Sequence, residues 1–247
     1  MGRLSVIIIT KNEELNLRRC LDSIRFADEI IINDTGSSDQ TIAIACEYKC
    51  RVLENDFAGF GRAKQQALEA ATCEWVLSID ADEVIDAELA ESIRKAIDSK
   101  SANGCRFRRK SQFLGRWIMH SGWYPGYVMR LFRRECGRFN DNRVHESVIL
   151  SGKAARIEGH MLHYTYPFSS LYIEKMNRYT SLYAEQMTQN GKRFSFWKLL
   201  VKPPIYFFKI YIIKQGFRDG LAGLILAVFS TFDVFARHVK LWELQRQ

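Results

Sequence analysis

Over its first hundred positions the chain alternates short apolar runs with stretches whose apolar residues recur at helical spacing. Ser5–Thr10 is apolar and β-branched, the pattern of a strand buried on both faces. Leu17, Leu21 and Ile24 then share one face of a helix that Asn12 is placed to cap. Glu29–Asn33 predicts a second strand, closed by Asp34-Thr35-Gly36-Ser37. Ser37 and Gln40 have capping-box spacing for a helix to about Tyr48. Arg51–Glu54 predicts a third strand, Arg62–Ala71 a helix and Trp75–Ile79 a fourth strand. Asp86 stands as a cap before Leu89, Ile93, Ala96 and Ile97. Strands and helices in this alternation mean right-handed βαβ units and a parallel sheet.

From Gly104 the pattern changes to short alternating runs at Arg106–Lys110, Tyr127–Phe132, Val144–Leu150 and Ala155–His163, which predict antiparallel or mixed strands added at the sheet edge. Leu171–Gln189 returns to helical spacing. Phe194–Phe208 is rich in aromatics and broken by Pro203-Pro204, and Lys209–Lys214 follows. The longest late charge-free stretch is Gly220–Phe232, thirteen residues, too short to span a bilayer. Basic and aromatic residues interleaved along amphipathic helices suit the plane of a membrane interface carrying anionic lipid. The competing expectation is a helical appendage packed on the core or forming a dimer.

Composition is that of a folded protein, with 47% hydrophobic and 26% charged residues in 247, which excludes general disorder. The six cysteines include no Cys-x-x-Cys pair, so free thiols and a cytoplasmic compartment are expected. The N-terminal run is short and lacks a small-residue cleavage site, and is read as a strand. Charge divides unevenly. Residues 1–99 hold 11 Lys/Arg against 19 Asp/Glu, and residues 100–247 hold 25 against 9. The basic second half suits an anionic partner.

Parallel strands place Thr10, Lys11, Asn12 and Glu13, then Asp34, then Asp80 and Asp82 on one carboxyl edge, where open α/β folds bind ligands. Gly-x-Gly-x-x-Gly and Gly-Lys-Ser/Thr loops are both missing, so phosphates are not held in the Rossmann or P-loop manner. Two acids one residue apart at a strand end suit a divalent cation held by oxygen ligands, with phosphate oxygens completing its shell. Asp-x-Asp also arises by chance or as a cap, but Asp86 already serves the cap. Arg62 and Lys64 are placed to reach a diphosphate, or are solvated helix charges. In the second half Trp117, Trp123, Tyr124 and Tyr127 lie among Arg116, Arg130, Arg133 and Arg134. Aromatic faces stack on sugars and arginines clamp carboxylate or phosphate, which makes Trp123, Tyr124 and Arg130 acceptor candidates; core packing accounts for part of the set.

Ser5-Val-Ile-Ile-Ile-Thr-Lys-Asn-Glu-Glu14, Asp34-Thr-Gly-Ser-Ser-Asp-Gln-Thr41 and Leu77-Ser-Ile-Asp-Ala-Asp-Glu83 together resemble the three signatures of family 2 glycosyltransferases. The resemblance implies a GT-A fold, a Rossmann-like mostly parallel sheet flanked by helices, and inverting, metal-dependent transfer from a nucleotide-sugar using Mn²⁺ or Mg²⁺. It implies that Thr10, Asn12 and Glu13 line the base and ribose pocket and that Asp34 accepts from uracil. Asp80 would hold the ribose or the metal's water shell, and Asp82 would ligate the cation. His163 would complete the metal shell, as a late histidine does in some GT-A enzymes; a lone histidine is as often structural.

Inverting transfer needs a general base. Glu146, in Asn142-Arg-Val-His-Glu146, is the candidate, with Asp141 in reserve. Lys11 departs from the aromatic residue many members carry, and the Glu-Asp pair that often presents the base is missing. Gln-x-x-Arg-Trp is missing too, which favours one sugar per acceptor. The expected organisation is a GT-A catalytic domain over 1–168, divided into a nucleotide-sugar half (1–100) and an acceptor half (101–168), with a helical, membrane-associating appendage over 169–247.

The whole chain also resembles bacterial lipopolysaccharide core glycosyltransferases that add glucose to inner-core heptose. Phe57-Ala-Gly-Phe-Gly61, Trp123-Tyr-Pro125 with Arg130-Leu-Phe-Arg133, Val144-His-Glu146 and Gly216-Phe-Arg-Asp-Gly220 carry that likeness. It implies a UDP-sugar donor, a glycolipid acceptor and peripheral attachment to the cytoplasmic face of the inner membrane. The alternatives are a polyprenyl-phosphate glycosyltransferase and, from another class, a basic nucleic-acid-binding protein. The second lacks a recognised binding motif, and the acids of the first half would repel phosphate.

Overall fold

A computed structural model describes residues 2–57, 59–99, 101–140 and 147–246. Contacts divide the chain into two compact units, Met1–Arg109 with Gly126–His163, and Lys110–Pro125 with Tyr164–Gln247. Glu146 and Asp141 lie outside the described residues.

The first unit is built on β1 (Leu4–Thr10), β2 (Glu29–Asp34), β3 (Arg51–Glu54) and β4 (Trp75–Asp80), which pair in parallel in the order β3-β2-β1-β4. Antiparallel strands extend the sheet: β5 (Glu83–Ile85), β6 (Gly104–Phe113), β8 (Gly126–Arg133) and β11 (Ala154–Tyr166), in the order β4-β8-β6-β11-β5. The short strand β7 (Arg116–Trp117) pairs with β6, while β9 (Gly137–Phe139) and β10 (Val148–Leu150) form a separate two-stranded sheet.

The unbroken apolar runs follow from burial on both faces. Val6, Ile8, Ile32, Leu77 and Ile79 pack in one cluster with Leu17 and Leu21 of α1 (Glu14–Ser23), Ile44 of α2 (Thr41–Glu47) and Ile93 of α4 (Ala87–Ser99). The alternate residues Ile7, Ile31 and Val76 pack with Ala67 and Leu68 of α3 (Phe60–Ala70). Asp86 caps α4, its Oδ1 accepting from Leu89 N at 2.8 Å. Asn12 and Ser37 do not cap. Asn12 has φ 55° and Glu13 takes the N-cap position of α1 without a side-chain capping bond, while the Asn12 and Ser37 side chains are used between loops instead.

The second unit contains α5 (Ser169–Gln189), α6 (Phe196–Phe208) and α7 (Gly220–Leu244). Phe113 sits at the centre of an aromatic cluster, with Trp123, Tyr166, Tyr172 and Phe229 ring centroids 5.4–6.4 Å away. The expected break at Pro203-Pro204 does not occur. Helix α6 runs through both prolines and packs on α7, with Pro203 buried, so packing outweighs the two lost N–H donors. The backbone widens directly afterwards into a π-helix over Lys209–Ile213. A second expectation also changes. The helical segment Gly216–Leu244 is 29 residues long and contains an 18-residue window of mean hydropathy 1.6, long and apolar enough by length and composition to cross a membrane. Asp233 and Arg237, one turn apart, pair with each other, so the charges that bounded the thirteen-residue stretch do not end the helix.

Candidate active site

The strand ends bring the three polar clusters to one edge. In register, Thr10 stands opposite Asp34 and Ile9 opposite Asp80. Asp34 is 1% exposed and accepts four bonds. Gly36 N and Ser37 N donate to Oδ1 at 3.0 and 2.7 Å, and the Thr10 and Ser37 hydroxyls donate to Oδ2 at 2.7 and 2.6 Å. Burial alone would raise its pKa; these bonds from Ser37, Thr10 and Gly36 prevail and hold the carboxyl below its ordinary value. Four donors match the lone pairs of one carboxylate, so a contact to a base would have to exchange one of them.

The loops after β1 and β2 are laced across each other. Asn12 N donates to Ser37 Oγ at 2.8 Å, Ser38 N to Asn12 Oδ1 at 2.9 Å, Glu13 N to Thr41 Oγ1 at 2.8 Å and Glu14 N to Asp39 Oδ2 at 3.1 Å. Thr10, Asn12, Glu13 and Asp34 thus lie in linked loops, with Ser37, which the sequence offered only as a cap, and Asp39 and Thr41 as their partners.

At the end of β4 a charge-compensated cluster forms. Lys64 Nζ lies 2.9 Å from Asp80 Oδ1, and Arg130 Nη2 lies 2.7 Å from Asp80 Oδ2. Lys64 is 2% exposed, so its ammonium is a buried partner of Asp80, and reaching a diphosphate would require leaving it. The same Arg130 nitrogen lies 3.2 Å from Oε1 of Glu83, and Arg109 stands 3.7 Å from that oxygen. Glu83 is fully buried and its Oε2 accepts from Asp80 N at 2.9 Å. Burial works against ionisation of Asp80, but Arg130 and Lys64 outweigh it and hold its carboxyl well below the usual carboxylate range. Burial raises the pKa of Glu83. Glu83 is a member of this cluster to which the sequence reading gave no role; its signal was a third carboxylate directly after Asp-Ala-Asp.

Asp82 takes a different partner. Its Oδ2 lies 3.2 Å from Nε2 of His163 on β11, with side chains 18% and 16% exposed. The pairing of β5 with β11, which sets Glu83 opposite His163, brings this late histidine to the acid motif. A carboxylate and an imidazole converging at a strand end are donors that fit a divalent transition-metal cation such as Mn²⁺. A second group of possible ligands, Asp86, Glu88 and His160, has its atoms within 4.8 Å of one another. Both Asp86 oxygens are already engaged, one capping α4 and the other accepting from His160 N at 3.0 Å.

Among the acceptor candidates, Arg130 belongs to the first unit and is engaged by Asp80 and Glu83, while Trp123 and Tyr124 belong to the second. Trp123 is partly buried against the Phe113 cluster.

Residues 5–157 match the family model described as glycosyl transferase family 2. The lipopolysaccharide core biosynthesis glycosyltransferase LpsC of Rhizobium meliloti is 33% identical over 248 residues, covering 97% of this chain and 92% of that protein. An uncharacterized glycosyltransferase of Rickettsia typhi is 28% identical over 99% of this chain and 88% of its own length. Among solved structures, the mannosyltransferase PcManGT of Pyrobaculum calidifontis matches with TM-score 0.58 at 14% identity, over 98% of this chain and 87% of that one, a likeness of fold. The chain belongs to glycosyltransferase family 2 and has the GT-A fold.

The buried Asp34 carboxylate gives a pH prediction. A depressed folded pKa contributes stability that is present above the unfolded value of about 3.9 and is lost as pH falls through the folded value. Asp34→Asn is therefore expected to lose about 1–3 kcal/mol at neutral pH, where amide hydrogens meet the donors of Gly36 and Ser37. Its melting temperature should then fall less than the wild type's on acidification. Parallel melting-temperature curves would exclude the assignment.

Proposed function

We propose that this chain is an inverting glycosyltransferase that moves a single sugar, glucose from UDP-glucose, onto a membrane-borne glycolipid such as the heptose of lipopolysaccharide inner core. The observation that carries the reading is the division of the acid motif. Asp80 is neutralised by Lys64 and Arg130, whereas Asp82 stands beside His163, the pair that this reading assigns to the cation. The fold relative from Pyrobaculum was solved with GDP-mannose and Mn²⁺, and LpsC bears a lipopolysaccharide-core name; both support the reading.

In the proposed mechanism, the wall formed by Thr10, Asn12, Glu13 and Asp34 orients the nucleoside. Asp80, fixed from both sides, serves the ribose. Asp82 and His163 would hold the divalent cation, which when bound neutralises charge on the departing diphosphate. The acceptor hydroxyl attacks the anomeric carbon from the face opposite the diphosphate. The anomeric C–O bond breaks with its electron pair leaving on UDP, and Glu146 takes the hydroxyl proton as general base. Trp123 and Tyr124 offer ring faces to the acceptor sugar.

Peripheral attachment through the second unit completes the proposal. Residues 186–218 hold seven Lys/Arg and no Asp/Glu. In the same stretch Trp197 is 75% exposed, and Phe196, Ile205, Phe208 and Ile213 are exposed as well. Cationic and apolar side chains interleaved in this way fit the interface of an anionic bilayer.

Calorimetric titration of UDP, with and without Mn²⁺, tests the site. Metal-dependent binding is expected for the wild type, and Asp82→Ala should remove the metal dependence. Failure of UDP to bind in either state would overturn the proposal. Co-sedimentation tests attachment: binding is expected to vesicles of phosphatidylcholine with phosphatidylglycerol and to weaken in high salt. Trp197→Ser with Ile205→Ser should reduce it more than about tenfold, since each buried apolar side chain is worth about 1.5–3 kcal/mol. Equal binding to vesicles of phosphatidylcholine alone would contradict the electrostatic part.

A further inference from the structure

Two sequence motifs outside the nucleotide wall, the stretch ending in Trp123-Tyr-Pro125 and Gly216-Phe-Arg-Asp-Gly220, meet at one buried carboxylate within the second unit. Asp219 is 2% exposed and accepts from Met119 N at 3.1 Å, His120 N at 3.0 Å, Ser121 Oγ at 3.1 Å and His120 Nδ1 at 3.0 Å. A carboxylate removed from water is tolerated only when satisfied in this way. Ser121 N also donates to Lys214 O at 2.9 Å. Ser121 and Gly122 then take φ of 59° and 79°, which turns the chain so that Trp123 N donates to His120 O at 3.0 Å. On the other side, a Cβ at Gly223 would stand 2.0 Å from Gly216 O and 2.8 Å from Asp219 Cβ, so only glycine permits this approach.

We propose that Asp219 is a positioning residue for acceptor recognition, holding the loop from Met119 to Tyr124 in shape, and that His120 is a binding residue whose Nε2 meets the acceptor. The contact to Asp219 engages Nδ1 of the ring, which leaves Nε2 to meet a polar group of the acceptor. The His120 side chain is 26% exposed, and the loop continues directly into Trp123 and Tyr124. The inference rests on the glycolipid-transfer reading and extends it to the residues that choose the acceptor.

Steady-state transfer from labelled UDP-glucose to heptose-terminated lipopolysaccharide, with Mn²⁺, measures it for the wild type, Asp219→Asn and His120→Gln. The acceptor KM is expected to rise about tenfold or more in Asp219→Asn. His120→Gln should rise several-fold, and the KM for UDP-glucose should stay within about twofold in both. Unchanged acceptor KM, or donor and acceptor KM rising together, would overturn the inference. Should Asp219→Asn fail to fold, His120→Gln carries the test, because the other three donors to Asp219 remain. No transfer by the wild type would refute the underlying reaction and this inference with it; transfer with unshifted variants would refute the inference alone.

Discussion

The double ion pair on Asp80 is the constraint on which the site depends. An unpaired carboxylate at the end of a buried strand would be strongly destabilising, and here Lys64 from α3 and Arg130 from β8 approach its two oxygens from separate elements. The pair does more than neutralise charge. It ties the parallel half of the sheet, which carries the nucleotide signatures, to the antiparallel half added after it. Removing either cation would leave the other to compensate the Asp80 carboxylate alone. Glu83 braces the arrangement by accepting the Asp80 backbone N–H and sharing Arg130.

The two acids of one motif, with Ala81 between them, therefore have different partners. Asp80 is committed to partners inside the protein, whereas Asp82, two residues past the strand end, meets an imidazole brought by a strand from the far side of the sequence. The same economy governs Asp34, whose lone pairs are filled by its own loop and by Thr10. Under the proposed function, carboxylates of this kind preorganise the surface that a nucleotide would meet, so that it need not order on binding.

Much of the fold was legible because its signal is local. Period-two and helical spacing located the βαβ half from Leu4 to Asp80, and parallel pairing then required Thr10, Asp34 and Asp80 to share an edge. What escaped depends on partners far away in sequence. Asn12 and Ser37 look like caps until two loops lie side by side. Glu83 looks like a spare acid until β5 pairs with β11 and β8 supplies Arg130. Pro203 and Pro204 look like breakers until α6 is packed on α7. The length of the apolar helix was hidden because a count of uncharged residues stops at Asp233, which its neighbour Arg237 satisfies one turn on. Asp219 stood in a recognised motif, but its partners were not legible, since its donors lie about a hundred residues earlier.

The division between Asp80 and Asp82 is tested most directly by electron–nuclear double resonance on Mn²⁺ bound to the wild-type protein with UDP. The structure leads to ³¹P couplings from the diphosphate together with a ¹⁴N coupling from His163 that disappears in His163→Gln. Asp82→Ala should release the ion, while Arg130→Lys, which keeps a cation beside Asp80, should leave the spectrum unchanged. A shell built only of oxygens in the wild type, or one that survives loss of the Asp82 carboxylate, would contradict the account.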